Sequence, residues 1–264
     1  MILRWNITPL ISVLCGFTFL SFLLLDAYPT EPVQTKSMQL RPEDIAIVLA
    51  WDQKMEEYWV PRTLKDKQEY ARRHGYDLLL KNTTDDGRAV SWSKIINLRQ
   101  AMLEHPDKLW FWWLDMDTLI MEPQFSIEEH VLEHASQHQY IEKDIVMSWD
   151  CFGLNTGSMF MRNSDWSLKF LEDLLTLSWH DPIMYGEQRK MQDLFHTGQE
   201  GVDHFDFIPL RKACAAHDHK CDLDSQAEFQ YNYHKGDFLI HFANCAPDNC
   251  HSELDRYHSM LYSR

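Results

Sequence analysis

Two aspartates interrupt an apolar stretch near the middle of the chain, and this feature constrains the fold more than any other. Residues 109–123 read LWFWWLDMDTLIMEP, in which Asp115 and Asp117 are separated by one methionine and flanked on both sides by apolar residues. Burying carboxylates in such surroundings is costly unless a cation or a network of hydrogen bonds compensates the charge. The stretch therefore predicts a buried strand followed by an acidic pair with a specific role.

The surrounding chain alternates between short apolar runs and amphipathic patterns. Apolar runs predict strands at residues 44–51, 76–82, 108–115, 144–150, 156–163, 205–210 and 237–244. Helical patterns occupy residues 54–74, 91–105, 164–179 and 187–196. In the second of these helices, one face is expected to carry Ile95, Leu98, Met102 and Leu103. Strands that alternate with helices predict an α/β fold with a mixed, mostly parallel sheet.

The acidic pair falls at the carboxyl end of the strand predicted at 108–115. Residues i and i+2 of an extended segment point to the same side, so the two carboxylates are expected to converge. In open α/β sheets this edge is where ligands bind. A divalent cation with oxygen ligands relieves the repulsion and can bridge to the diphosphate of a nucleotide. Many solvated turns also contain an Asp-X-Asp pattern, but the apolar flanks make this one more specific.

Composition excludes nucleic acid as a partner. The chain has 264 residues, 45% of them hydrophobic, which is enough for the core of one domain of good size. Its net charge of −15 argues against binding to phosphate backbones, which need a basic surface. An anionic substrate would therefore require a bound metal or a well-placed lysine.

The N-terminal segment is expected to lie outside the globular domain. Residues 7–25 are uncharged and close to the roughly 20 residues that span a bilayer. Arg4 precedes them and Asp26 follows, which predicts a cytoplasmic tail at 1–6, a transmembrane signal anchor at 7–25, a stem at 26–42 and a luminal domain at 43–264. A cleaved signal peptide is the alternative, but its apolar region is usually shorter, about 7–15 residues.

The cysteines fit a luminal domain. Cys15 lies in the predicted span, and two pairs that are close in sequence, Cys214/Cys221 and Cys245/Cys250, predict small-loop disulfides that leave Cys151 unpaired. The alternative is a zinc site with His217, His219 and His251, although the spacing matches no common zinc pattern. Asn82-Thr83-Thr84 is an acceptor sequence for glycosylation in a luminal protein.

Five blocks in a fixed order resemble glycosyltransferase family 34. They are SWSKIINLRQAM, FWWLDMDTLIMEP, LNTGSMFMRNSDWSLKFLEDL, GEQRKMQDLF and LIHFANC, and the resemblance covers roughly residues 43–250. It implies a GT-A fold, Mn²⁺, a nucleotide-sugar donor, a glycan acceptor, retention of anomeric configuration and a type II Golgi membrane protein. The segment WWLDMDTLIMEP is similar in sequence to members of the fungal α-1,6-mannosyltransferase branch, and this similarity implies GDP-mannose as donor. UDP-galactose with an α-galactosyltransferase is the alternative.

The resemblance also implies roles for individual residues. It gives three metal ligands, Asp115, Asp117 and His241, and two catalytic residues, Glu187 and Gln188. It gives the donor-binding residues Lys94, Asp115, Trp51, Asp52, Asn155 and Asn244. Spacing alone favours a core histidine at 241. For Lys94 the alternative is a solvated charge on a helix. One departure from the family pattern is Ala246, where some relatives carry a basic residue close to the diphosphate.

Three alternatives from other classes compete with an active transferase. The first is a non-catalytic partner subunit of a Golgi mannan-synthesising complex, with which Ala246 agrees. The second is a metal-dependent phosphohydrolase, but a second cluster of metal ligands is missing from the sequence. The third is a lectin-like module, although Trp110, Trp112 and Trp113 lie in an apolar strand that is typical of a core.

Overall fold

The computed structural model describes residues 40–83, 86–133, 143–178, 186–198, 202–218, 221, 230–245 and 247–262. The predicted tail, the predicted anchor and most of the predicted stem lie outside these residues, as do Cys15 and Ala246. Within the described ranges, no helix combines the length and the apolar character needed to cross a membrane.

Strands and helices alternate along the described part of the chain. The strands are β1 (Ile45–Trp51), β2 (Asp77–Asn82), β3 (Trp110–Leu114), β4 (Thr118–Ile120), β5 (Ile145–Asp150), β6 (Gly153–Arg162), β7 (Phe205–Phe207), β8 (Ala215–Ala216) and β9 (Leu239–His241). The helices are α1 (Gln53–Glu56), α2 (Trp59–His74), α3 (Ser93–Glu104), α4 (Ile127–His130), α5 (Asp165–Ser178), α6 (Glu187–Thr197), α7 (Leu210–Ala213) and α8 (Pro247–Tyr262). Short 3-10 turns occupy Pro42–Asp44 and Val90–Trp92.

The strands form one large and one small sheet. The large sheet has the order β2-β1-β3-β6-β5-β7, and the small sheet has the order β4-β9-β8. In the large sheet β1 pairs in parallel with β2 and β3, β5 pairs in parallel with β7, and β6 runs antiparallel to both β3 and β5. The α/β class and the mixed sheet are therefore as predicted. Within this mixed sheet, β3 has the parallel neighbour β1 on one side and the antiparallel neighbour β6 on the other.

Helices cover both faces of the large sheet. Successive residues of β1 point to opposite faces, so Ile47 packs with Tyr70 of α2, whereas Val48 packs with Ile95 of α3 and Leu171 of α5. A fully buried aliphatic or aromatic side chain contributes about 1.5–3 kcal/mol. Burial on both faces explains why β1 and β3 read as continuous apolar runs instead of alternating patterns.

Several details of the predicted helices and strands are wrong, each for a local reason. Leu103 is 52% exposed, because a helix turns by about 100° per residue and Leu103 follows Met102 out of the buried stripe. The helix predicted at 54–74 is split into α1 and α2, and the latter ends at Gly75, which has a φ of 86°. The strand predicted at 205–210 stops at Phe207, since Pro209 lacks an N–H and precedes α7.

The cysteine pairing is only half as predicted. The disulfides are Cys245–Cys250, which agrees with the prediction, and Cys151–Cys221, which does not. Cys214 is free and buried, because it follows α7 into the core, where its Sγ contacts two polar side chains instead of Cys221. The zinc alternative loses support, since the sulfurs of Cys221, Cys245 and Cys250 are in disulfides and cannot serve as thiolate ligands. His219 lies outside the described residues.

Candidate active site

A cavity of about 460 Å³ opens where β1, β3 and β5 end at their carboxyl edges. Its walls come from the loops after these strands, from β6, from the start of α3 and α6, and from the segment after β9. Each residue given a role in the sequence analysis lines this cavity: Trp51, Asp52, Lys94, Asp115, Asp117, Asn155, Glu187, Gln188, His241 and Asn244. The fold thus brings together side chains that are up to 193 positions apart in sequence.

The acidic pair lies in a turn instead of an extended segment. β3 ends at Leu114 and β4 begins at Thr118, so Asp115 and Asp117 occupy the tight connection between the two sheets. The Thr118 hydroxyl donates to the Asp115 carbonyl at 2.7 Å and stabilises this turn. The carboxylates still converge, but the turn is responsible and not the period of a strand.

Pairing of β4 with β9 brings His241 to the acidic pair. His241 lies opposite Thr118 in the register, and the Phe242 N–H donates to the Asp117 carbonyl at 2.9 Å. His241 Nε2 is 3.5 Å from Asp117 Oδ1 and 3.9 Å from Asp115 Oδ2. One ligand atom from each of the three residues lies within 4.8 Å of the others. Two carboxylates and an imidazole are common protein ligands of divalent cations, so these residues fit a divalent cation.

Lys94 is buried and neutralises acidic groups of the site. Its Nζ donates to Asp115 Oδ2 at 3.1 Å and to the Thr156 carbonyl at 2.9 Å, and it lies 3.2 Å from Glu187 Oε1. Burial lowers the pKa of Lys94, but the carboxylates of Asp115 and Glu187 outweigh burial and raise it. Lys94 is therefore a charged group inside the site, and the alternative of a solvated helix charge is wrong.

The two aspartates have different surroundings. Asp115 also accepts from the Trp113 indole N–H at 2.6 Å, so both of its oxygens have partners in the protein. Burial raises the pKa of Asp115, and the negative charge of Asp117 adds to this effect. Burial also acts on Asp117, but His241 lowers its pKa by charge and hydrogen bonding. Asp117 is thus the more readily ionised of the pair.

His241 is held from behind by a free thiol and a glycine. Its Nδ1 lies 3.4 Å from Cys214 Sγ, and this thiol lies 3.3 Å from Asn155 Oδ1. A Cβ added to Gly157 would meet the imidazole Cε1 at 2.0 Å, so only glycine leaves room for the ring. Burial lowers the pKa of His241, whereas Cys214 and Asp117 raise it to about 10. Because a metal ligand must be deprotonated, a bound cation would compete with the proton on His241.

The start of α6 presents Glu187 and Gln188 to the cavity. The Thr156 hydroxyl donates to Glu187 Oε1 at 3.0 Å, and the Thr156 N–H donates to Gln188 Oε1 at 3.2 Å. Burial alone would raise the pKa of Glu187, but the charge of Lys94 and the hydrogen bonds to the carboxylate have the larger combined effect. The pKa of Glu187 is therefore lowered. Its position in the first turn of a helix adds a favourable interaction with the helix dipole. Glu187 is therefore a fixed, ionised group.

Three residues at the rim complete the predicted set. Trp51 ends β1 and Asp52 caps α1, accepting from the Met55 N–H at 3.2 Å. Asn244 has a φ of 56°, a left-handed conformation that asparagine adopts more readily than most residues. This turn directs the chain after β9 along the cavity wall.

Sequence reasoning missed four side chains or positions of this site. Thr156 and Gly157 directly follow Asn155, which the sequence analysis does assign to the site. Asp150 is the last residue of a predicted strand, as Asp115 is, so its position at a strand end could have indicated a role in the site. Asp150 accepts from the Asn155 amide at 2.9 Å and lines the cavity. Cys214 had no local signal, because its partners are 27 and 59 residues away.

Comparison with known sequences decides the family. The sequence pattern that defines the galactosyl transferase GMA12/MNN10 family matches residues 42–252. The chain belongs to this family. It is 30% identical over 255 residues to the probable α-1,6-mannosyltransferase MNN10 of Saccharomyces cerevisiae, covering 81% of this chain and 63% of that protein. It is 27% identical to an α-1,2-galactosyltransferase of Schizosaccharomyces pombe, covering 76% of this chain and 60% of that protein. The chain thus spans less than two thirds of these relatives.

Solved structures support the fold. A glycosyltransferase involved in glycosylation of the major capsid of PBCV-1 aligns with a TM-score of 0.60 at 14% identity, covering 82% of this chain and 99% of that one. The galactosyltransferase LgtC aligns with a TM-score of 0.51 at 11% identity, covering 83% and 95%. The resemblance to family 34 and the GT-A-like fold with a mixed sheet are therefore confirmed. Neither finding favours the phosphohydrolase or the lectin-like alternative.

Proposed function

We propose that this chain is a retaining, metal-dependent glycosyltransferase that moves a hexose from a nucleotide sugar to a glycan acceptor. The observation that carries the proposal is the convergence of Asp115, Asp117 and His241 in one cavity with the ion-paired Lys94 and Glu187. Similarity to a probable α-1,6-mannosyltransferase favours mannose from GDP-mannose. Similarity to α-1,2-galactosyltransferases supports UDP-galactose as the second candidate donor.

The metal and the donor have separate binding groups in this proposal. Asp117 and His241, with Asp115, would hold Mn²⁺, which when bound offsets the charge of the diphosphate and of the leaving phosphate. Lys94 adds a fixed positive charge beside Asp115. Trp51 and Asp52 at the end of β1 would contact the base and ribose, while Asn155 and Asn244 would contact the sugar and diphosphate. Their common position on the cavity wall supports these roles.

The transfer step follows from the state of Glu187. The bond between the anomeric carbon and the phosphate oxygen breaks, the acceptor oxygen bonds to that carbon on the same face, and the acceptor proton passes to the departing phosphate oxygen. A covalent route would need a free carboxylate as nucleophile. The Glu187 carboxylate instead forms an ion pair with Lys94 and accepts a hydrogen bond from the Thr156 hydroxyl. We therefore favour the front-side route, in which Gln188 orients the sugar and Glu187 binds the acceptor.

The proposed location is the Golgi membrane, with residues 7–25 as anchor and residues 43–264 in the lumen. The disulfides Cys151–Cys221 and Cys245–Cys250 support an oxidising compartment. Exposure of Asn82 supports use of its acceptor sequence. Endoglycosidase treatment should then shift the mobility of the protein, and protease added to sealed vesicles should leave the luminal domain intact. Digestion of that domain in sealed vesicles would contradict this topology.

A donor screen with the full-length protein tests the activity. UDP- and GDP-sugars are offered with Mn²⁺ and α-linked manno-oligosaccharides, and both hydrolysis and transfer are measured. We expect turnover of one donor class, its loss in Asp117→Asn, and its retention in Asp107→Asn, whose carboxylate is exposed outside the cavity. Binding of a nucleotide sugar without any turnover would favour the alternative of a non-catalytic subunit in a mannan-synthesising complex.

A further inference from the structure

One exposed aromatic ring stands at the mouth of the cavity. Among the described residues, Phe152 is the most exposed large hydrophobic side chain, at 64%, and it lines the cavity. Val90 is 50% exposed and lines the same cavity. The other exposed large hydrophobics of the described ranges, among them Leu103, lie away from it. Among the described residues, the cavity mouth therefore has an exposed apolar surface formed by Phe152 and Val90.

The turn that carries Phe152 is fixed on several sides. The Phe152 N–H donates to Asp150 Oδ1 at 2.7 Å, and Cys151 forms a disulfide with Cys221. Gly153 follows with a φ of 135°, a conformation that favours glycine, and a Cβ there would meet Gln192 Oε1 at 2.2 Å. The ring is thus presented by a turn with little freedom. Such preorganisation lowers the entropic cost of binding a ligand.

The contacts between β6 and α6 show how Phe152 lies relative to the catalytic residues. Gln188 accepts from the Thr156 N–H, and one helical turn later Gln192 accepts from the Leu154 N–H at 3.2 Å. The helix therefore follows β6 outward from the catalytic residues towards Phe152. Thr156 and Phe152 are four positions apart in sequence, which is at most about 13 Å along an extended chain. Phe152 therefore lies farther out along the cavity than Thr156 and the catalytic residues beside it.

The chemistry of the mouth suits a neutral sugar. A pyranose offers an apolar face of C–H groups to an aromatic ring and hydroxyl donors at its edge. Asp150 lines the cavity next to Phe152. Its two carboxylate oxygens accept from the Phe152 N–H and from the Asn155 amide, and because each carboxylate oxygen has two lone pairs, they can also accept from a sugar hydroxyl. A phosphate group would be disfavoured by Asp150 and by the net charge of −15.

We propose that Phe152 stacks against a sugar ring of the glycan acceptor, at a subsite one or more units away from the reacting hydroxyl. This inference rests on the proposed transferase function. It goes further, because it gives the enzyme a preference for acceptors that are long enough to reach Phe152.

The test compares a short and a long acceptor with variants of the full-length protein. Methyl α-mannoside reaches only the reacting position, whereas α-1,6-linked mannotriose extends beyond it. In Phe152→Ala we expect kcat/KM for mannotriose to fall about tenfold, the size of one lost aromatic contact. Donor hydrolysis and use of methyl α-mannoside should not change. Phe152→Tyr should restore the preference, and Leu103→Ala, which removes an exposed side chain outside the cavity, should behave as wild type.

Binding of the same two sugars is measured in parallel by saturation-transfer NMR, which needs no turnover. We expect the signals of the outer mannose units to weaken in Phe152→Ala only. Unchanged signals and unchanged kcat/KM for mannotriose would overturn the inference, as would an equal loss for both acceptors. Failure of the wild type to turn over any donor would instead contradict the proposed function, while the NMR comparison would still decide the role of Phe152.

Discussion

Replacing Gly157 by alanine tests whether the position of His241 controls metal binding. The added Cβ would lie 2.0 Å from Cε1, 2.5 Å from Nδ1 and 2.7 Å from Nε2 of the imidazole, whereas ordinary contacts begin at 3.4 Å. The strand cannot retreat easily, because the Gly157 carbonyl accepts from the Asp115 N–H at 2.8 Å. The ring must therefore move by about 1.4 Å or more to restore normal contact.

A shift of this size is large compared with the tolerance of the site. His241 Nε2 now lies 3.5 Å from Asp117 Oδ1, and a misplacement of about 1 Å in a catalytic site can cost roughly 100-fold. We expect Mn²⁺ affinity and turnover to fall about 10–100-fold in Gly157→Ala. Overpacking of a core typically costs about 1–3 kcal/mol, so the free energy of unfolding should fall by that amount without loss of the fold.

Electron paramagnetic resonance of free and bound Mn²⁺ measures the affinity, and circular dichroism checks the fold. The control is a double-mutant cycle, since contacting residues are not additive. Gly157→Ala should have little further effect in a His241→Ala background, where the ring is absent. Wild-type affinity in Gly157→Ala would refute the reasoning, and an equal effect in both backgrounds would assign the loss to the backbone instead of to His241.

The remaining predictions concern the groups that support the acidic pair. Cys214→Ala removes the partner of His241 Nδ1 and should weaken Mn²⁺ binding about tenfold, whereas Cys214→Ser should bind as wild type; equal affinity in both variants would contradict this role. Lys94→Met leaves Asp115 and Glu187 without their buried cation and should lower the free energy of unfolding by about 3–5 kcal/mol, measured by urea denaturation; wild-type stability would contradict the ion-pair assignment. Because the pKa of His241 is raised to about 10, stability from its protonated form is complete below pH 6.5 and is lost as pH rises through 10. Mn²⁺ competes with this proton, so its affinity should rise with pH up to about 10, and an affinity that falls over this range would be inconsistent.

Much of the site follows from local patterns at strand ends. Asp115 and Asp117 follow an apolar run, and Trp51 and Asp52 follow another, so both sets could be placed at the same sheet edge from sequence alone. Lys94 could not be placed in this way, because the pattern of apolar residues along its helix does not indicate that Lys94 is buried. The family resemblance, and not the pattern, put it in the site.

The parts that sequence patterns missed depend on contacts between distant segments. Cys214 reaches His241 only after β8 pairs with β9, and Cys151 meets Cys221 across 70 residues. The antiparallel neighbour of β3 is decided by the turn between β5 and β6, which reverses the chain within two residues. Local spacing carries no information about such partners, so the nearest cysteine in sequence was the wrong choice for Cys221.

The anomeric configuration of the product tests the central proposal most directly. The full-length protein is incubated with Mn²⁺, an α-linked nucleotide sugar and a manno-oligosaccharide, and proton NMR follows the new glycosidic bond from the earliest time points. We predict an α-linked product that forms with wild-type protein and is absent with Asp117→Asn or with excess chelator. A β-linked product, or transfer at the wild-type rate in Asp117→Asn, would contradict the account.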